Sequence, residues 1–360
     1  MRGCICSIVP PHIFERVLRT GTQEEREAAI GTLSVDHSIR LMRAQNAALA
    51  AQPVRRAVAV PGGRGVVHRT IYDALHRNDQ QATRILRDEG QPESRDESAN
   101  QAYDALGDTY RFYWDVLSRD SIDDAGMSLL GEVHFGHRYD NAFWDGRRMM
   151  FGDGSGTMFT GFTSAIEVVG HELTHGVTQS TINLLYTGQS GALNESISDV
   201  FGCLVKQYKL GQTADQATWL IGEGILGPAM HGVALRSMKA PGTAYDGDEQ
   251  PATMSGFVNT TSDNGGVHTN SGIPNHAFYL AATAIGGKAW ERAGRIWYQV
   301  MALRAVPPDA QFHTFAAATV TTASALFGPT SVEAKAVVDA WAQVGVLTGA
   351  QVPIAGVLAS

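Results

Sequence analysis

His171-Glu172-Leu173-Thr174-His175 decides both the fold and the chemistry of this chain. Residues four apart on a helix share a face, so both imidazoles can reach one metal ion. Glu172 lies about 100° round the axis from His171. From there its carboxylate flanks the ion and can take a proton from a water activated beside it. The pattern works only on a helix. Ser164-Ala165-Ile166-Glu167 supplies a capping box just upstream, and Ile166, Val168 and Val169 give the segment a buried side. A helix is therefore predicted over residues 165–180. With twelve histidines in 360 residues, chance yields this motif on the order of a few hundredths of a time.

A catalytic zinc needs a third protein ligand and one open position. Downstream, Gly191-Ala192-Leu193-Asn194-Glu195-Ser196-Ile197-Ser198-Asp199 offers the ligand. Glu195 and Asp199 are four apart, hence on one helical face. With Glu195 on the metal, Asp199 is placed to accept a hydrogen bond from a ligand histidine and fix its tautomer.

Around these motifs the chain divides into three. Residues 12–50 read as short helices, 12–20, 23–31 and 37–50, with a turn at Thr20-Gly21-Thr22. Gln52-Pro53, Arg55-Arg56 and Pro61-Gly62-Gly63 form a loose linker suited to proteolysis. Val66-Val67 and Thr70-Ile71-Tyr72 suggest strands. Residues 99–119 have the apolar spacing of a long amphipathic helix, and 127–151 alternate like antiparallel strands. The remainder is predicted to be mostly helical, over 192–209, 273–286, 288–304, 311–326 and 331–344. The expected boundaries are a helical segment 1–56, an α+β lobe 57–180 carrying the motif, and a helical lobe 181–360.

Composition narrows the function. Apolar residues make up 44% of the chain, enough for more than one core. The net charge of -8 and the lack of a polybasic run argue against nucleic-acid or anionic-membrane binding. No run of about 18 apolar residues is present to span a membrane. Three cysteines, Cys4, Cys6 and Cys203, cannot make a disulfide framework. Cys203 reads as a small buried hydrophobe. The apolar run before Pro10-Pro11 is shorter than the roughly 7–15 residues of a secretory signal core. The expectation is export by a route without a recognisable signal, with a cytoplasmic location as the alternative.

Further segments extend the pattern: Asn141-Ala142-Phe143-Trp144, Gly152-Asp153-Gly154, Leu235-Arg236-Ser237-Met238 and Asp263-Asn264-Gly265-Gly266-Val267-His268. With H-E-x-x-H and a glutamate after nineteen intervening residues, they resemble the thermolysin family of zinc metalloproteases in its protealysin-like branch, from about Val66 to Val346. The resemblance implies a two-lobe α+β fold with the metal helix between the lobes, and a zinc endopeptidase acting on peptides and proteins. It implies that zinc sits on His171, His175 and Glu195, with Glu172 as base and Asp199 behind the ligands. It further implies that Tyr186 and His268 stabilise the oxyanion and that Asp263 orients His268. Asn141 and Ala142 would pair with the substrate backbone, and Arg236 would bind its carbonyl beyond the cut. The pocket walls would be Phe159, Phe162, Val168, Ile221, Ile225 and Leu235. All are apolar, so cleavage is expected before Leu, Phe, Ile or Val.

Two features depart from the family's secreted members. Of the residues matching its calcium carboxylates, Glu167 and Glu223 remain, but Lys206, Thr218, Leu220 and Val233 replace the others. Folding without calcium is expected, with Lys206 pairing Glu167 and Glu223 in the metal's place. The N-terminal segment is short, and Cys6-Ser7-Ile8-Val9-Pro10-Pro11-His12 resembles the precursor segments of protealysin-like enzymes. Residues 1–56 are expected to inhibit the enzyme until removed, Cys4 and Cys6 having a packing or incidental role rather than a zinc-switch one. A monomer is expected. The rival readings are a zinc aminopeptidase, which usually carries a G-x-M-E-N motif absent here, and a catalytically silent metal-binding module.

Overall fold

The computed structural model describes residues 7–49 and 64–347. Cys4, Cys6 and most of the expected linker lie outside the described residues. Pro10 is extended, and Pro11 begins α1 (Pro11–Thr20), where its missing N–H costs nothing. Thr22 and Glu25 then form a reciprocal cap: Thr22 N donates to Glu25 Oε2 at 2.8 Å and Glu25 N to Thr22 Oγ1 at 3.4 Å. It opens α2 (Gln23–Leu49), one helix where a break between 31 and 37 was expected. A lone Gly31 costs a helix only about 1 kcal/mol, and no proline interrupts the run.

The chain forms two compact units. The first gathers the described residues up to Val177 and the segment Gly222–Leu235. Its sheet comprises β1 (Arg69–Asp73), β2 (Arg84–Asp88), β3 (Leu129–Val133), β4 (Ala142–Trp144) and β5 (Arg148–Phe151), in the order β2-β1-β3-β5-β4. The expected antiparallel pairing over 127–151 holds for β4 with β5, but β3 runs parallel to both β1 and β5. Helix α3 (Glu97–Leu117) lies on the connection that brings β3 in parallel to β1, while between β3 and β5 the chain turns back through β4, which is antiparallel to β5. Val66-Val67 is not a strand, and β2 was not foreseen. The segment 222–235 joins this unit by Thr160 N to Ile225 O (3.0 Å) and Gly227 N to Met158 O (2.7 Å).

Helix α4 (Ile166–Ser180) belongs to the first unit up to Val177, and its last three residues belong to the second. The second holds Thr178–Ile221 and the described residues from Arg236. It contains α5 (Gly188–Leu210), a two-stranded ribbon β6 (Leu220–Ile221) and β7 (Arg236–Ser237), and then α6 (Asp263–Asn270), α7 (Gly272–Ile285), α8 (Ala293–Ala302), α9 (Phe312–Phe327) and α10 (Val332–Gln343). Trp297 stacks on Trp341 with ring centroids 6.1 Å apart, and Phe278 and Phe315 pack edge-on to Trp297. No described helix is long and apolar enough to cross a membrane.

Candidate active site

The part of α4 in the first unit is buried: Val168, Val169, Leu173, Thr174 and Val177 have no exposure. An interior helix reads as apolar all round, so His171, Glu172 and His175 are conspicuous among its buried residues. The two Nε2 atoms face each other at 3.0 Å. Two Zn–N bonds of about 2.0–2.1 Å at a tetrahedral angle put nitrogens roughly 3.3 Å apart, so the pair fits a zinc ion. Among the described residues, His171, Glu172 and His175 are the group with ligand atoms close enough together, within 4.8 Å, to hold a metal.

Two contacts fix this helix locally. Trp144 N, at the end of β4, donates to Glu172 Oε2 at 3.1 Å. Tyr113 of α3 shares a 2.7 Å hydrogen bond with Thr174 Oγ1, inside the motif. Gly176 permits close packing on this face, because a Cβ there would lie 2.5 Å from Ile122 Cγ2 and 3.1 Å from Trp144 Nε1.

The second unit brings a different set together. Tyr186 Oη donates to Glu195 Oε1, and His268 Nε2 lies 3.5 Å from Glu195 Oε2 and 3.4 Å from Tyr186 Oη. Asp263 holds His268 twice, accepting from its backbone N at 2.9 Å and its Nδ1 at 2.8 Å. Burial alone would lower the His268 pKa, but the charges of Asp263 and Glu195 prevail and push it up to about 9. The Asp263–His268 loop was expected from the sequence; its left-handed backbone was not. Asn264, Gly265 and Gly266 have φ of 52°, 90° and 72°. Glycine suits the last two, since a Cβ would come 3.0 Å from Gly188 N and 2.9 Å from Asn270 Nδ2.

Asp199 and Arg236 form a buried bidentate pair, with Arg236 Nε to Asp199 Oδ2 and Nη2 to Oδ1 both 2.8 Å. Asn275 joins them and was missed by the sequence reading. The expected pocket residues Phe159, Phe162, Val168, Ile225 and Leu235 are buried in the first unit, and Ile221 is buried in the second. The Phe159 and Phe162 rings lie 5.5 Å apart. Asn141 and Ala142 are fully buried because the N-terminal segment covers them. Ile8 N donates to Ala142 O at 3.1 Å, Val9 N to Asn141 Oδ1 at 3.0 Å, and Asn141 Nδ2 to Val9 O at 3.4 Å. Glu167 is buried too, and its Oε1 accepts from Glu223 N at 3.1 Å.

A sheet-bearing unit with a paired-histidine helix, followed by a helical unit, defines a metallopeptidase. Residues 63–179 match the family described as "Thermolysin metallopeptidase, catalytic domain", and residues 182–346 match "Thermolysin metallopeptidase, alpha-helical domain". The chain is 47% identical to an extracellular metalloprotease of Pectobacterium carotovorum subsp. carotovorum, over 95% of this chain and 96% of that one. It is 43% identical to protease PrtS of Photorhabdus sp. (strain Az29), over 94% and 91% of the two chains. The solved precursor of protealysin, a metalloproteinase from Serratia proteamaculans, superposes with a TM-score of 0.84 at 48% identity, covering 95% of this chain and all of that one. This chain belongs to the thermolysin family of zinc metallopeptidases. It is accordingly a metalloendopeptidase acting on peptide substrates.

Proposed function

We propose that the chain is a secreted endopeptidase, made as a self-inhibited precursor, which cuts before bulky apolar residues. The buried His171–Glu172–His175 group carries the catalytic reading. His171, His175 and Glu195 would hold zinc, which when bound supplies Lewis acidity to water and to the scissile carbonyl. Glu172, held at one oxygen by Trp144 N, takes the proton of the attacking water and passes it to the leaving nitrogen. Tyr186 and His268 donate hydrogen bonds to the developing oxyanion, and Asp263 keeps His268 turned for this. Arg236, anchored on Asp199, binds the carbonyl beyond the cut. Phe159, Phe162, Val168, Ile221, Ile225 and Leu235 offer apolar surface to the side chain that follows it.

Glu172→Gln keeps the size and hydrogen-bonding reach of the side chain but not its basicity. Zinc content should stay at that of the parent while hydrolysis of a peptide with an internal Phe or Leu falls by about 10³-fold or more. Retained activity would remove Glu172 from this role. Fragments released from the interior of a folded protein separate this reading from an aminopeptidase.

The precursor reading rests on the N-terminal segment, with removal expected near residue 56 and division of the rest near residue 180. Ser7 faces Phe143 in an antiparallel bridge. With Ile8 and Val9 it takes the main-chain and Asn141 hydrogen bonds that a substrate strand would need. Two relatives are named extracellular, which supports secretion. Calcium has no role in this reading, Lys206 standing where the family has a carboxylate.

A further inference from the structure

Gln250 follows β7 in the second unit and is buried. Its Nε2 donates to His268 O at 2.7 Å and to Ser271 Oγ at 3.0 Å, and Ser271 Oγ donates to the same His268 carbonyl at 2.8 Å. Its Oε1 finds no hydrogen-bonding partner among the described residues. A buried acceptor left unmet carries a desolvation cost that an apolar side chain of similar length, such as methionine, would avoid. The amide N–H is therefore what glutamine supplies here.

The seat of Gln250 allows close approach. Its backbone N donates to Asp248 Oδ1 at 3.1 Å, and Asp248 Oδ2 accepts from Ala244 N at 3.1 Å. At the start of α7, a Cβ on Gly272 would lie 2.7 Å from Pro251 O and 3.0 Å from Gln250 Cβ. Glycine at that point lets the segment rest directly on the junction of α6 and α7. The residue that Gln250 reaches needs such support. His268 comes after three left-handed residues, Asn264, Gly265 and Gly266, so no regular helical turn precedes it. Side chains hold it on both flanks. Asp263 accepts from its backbone N and from Nδ1, while Gln250 and Ser271 donate to its carbonyl. Bonds to the peptide groups on both sides of its Cα set the direction of the Cα–Cβ bond, and Asp263 sets the ring about it. The ring tip, Nε2, then stands 3.4 Å from Tyr186 Oη. We propose that Gln250 is a positioning residue for hydrolysis: it holds the His268 backbone so that Nε2 meets the developing oxyanion beside Tyr186. The proposal rests on the role given above to His268.

The test is Gln250→Met in the full chain, compared at saturating zinc with the parent prepared in the same way. It is read by kcat and KM on a short peptide, by the inhibition constant of a tetrahedral phosphonamidate peptide, and by melting temperature. Losing an oxyanion donor outright costs about 10²–10³ in kcat. A donor that is present but less well aimed should cost less, about tenfold in kcat. KM should stay within about twofold, because the oxyanion exists only in the transition state. The phosphonamidate, which resembles that state, should bind about tenfold more weakly. The melting temperature should be unchanged or higher, since the unmet acceptor is gone. Gln250→Ala, which cannot overpack, should give the same loss in kcat. A lowered melting temperature with kcat and phosphonamidate binding unchanged would reduce Gln250 to packing and overturn the proposal. A loss carried by KM with kcat unchanged would overturn it too. His268→Phe is measured in parallel. Unaltered kcat in that variant would overturn the His268 reading itself. An impaired His268→Phe beside silent Gln250 variants would overturn only the role of Gln250.

Discussion

His134 lies between two carboxylates, with Nδ1 2.9 Å from Asp153 and Nε2 2.8 Å from Asp96. The hydrogen bond to Asp153, opposed by burial and helped by Asp96, pushes its pKa up to about 9 from 6.5. The folded state thus holds this proton more tightly than the unfolded chain. Its stabilisation is complete below pH 6.5 and is lost as pH rises through about 9. Melting curves taken across that window should show the decline, and His134→Gln should flatten it; an identical slope in the variant would assign the dependence elsewhere. Tyr113 offers a simpler test. Tyr113→Phe deletes the bond to Thr174 and should cost about 1 kcal/mol, a drop of roughly 2–4 °C in Tm. No change in urea or thermal unfolding would mean that Thr174 is adequately held by its other bond, to Gly170 O at 2.7 Å.

Helix α2 packs on the sheet-bearing unit. Its buried face sets Ile39 and Val35 against Phe135, Tyr139, Phe143 and Met150. Three hydrogen bonds accompany this packing. Tyr139 Oη and Asn141 Nδ2 donate to Asp36 at 2.5 and 3.3 Å, and Thr32 Oγ1 accepts from Asp140 N at 3.0 Å. Hydrogen bonds to a charged group contribute about 1.5–3 kcal/mol each. Asp36→Ala should therefore loosen the N-terminal segment and raise the peptidase activity of the uncut precursor by about tenfold or more. Parental latency in that variant would show that α2 does not hold the segment down. The latch was invisible beforehand because residues 31–37 read as a break. Thr32 and Asp36 share a face only on a continuous helix. The parallel course of β3 was equally hidden, since alternation along a strand reports its faces and not the direction of its neighbours.

For the whole molecule, the test is what metal each unit needs. A metal that binds the folded chain more tightly than the unfolded one stabilises it, so a zinc chelator should lower Tm, and added zinc should restore it. A calcium-selective chelator at fixed zinc should leave Tm where it was. A fall would restore calcium to the account, with Glu167 and Glu223 as the residues to substitute first.

Legibility followed distance along the chain. His171 and His175, Glu195 and Asp199, and Asp263 and His268 are each within one or two turns, so local geometry alone brings each pair together. The sequence by itself determined the paired-histidine helix and the α+β class, because the helical repeat turns spacing into a shared face. Only the tertiary structure decided that Trp144 N donates to Glu172, that Asn275 donates to Asp199, that 222–235 returns to the first unit, and that Ser7 and Ile8 pair with the edge of β4. Those contacts join segments far apart in the chain. Several run through backbone amides and carbonyls, which every residue but proline has in full, so no residue type could announce them.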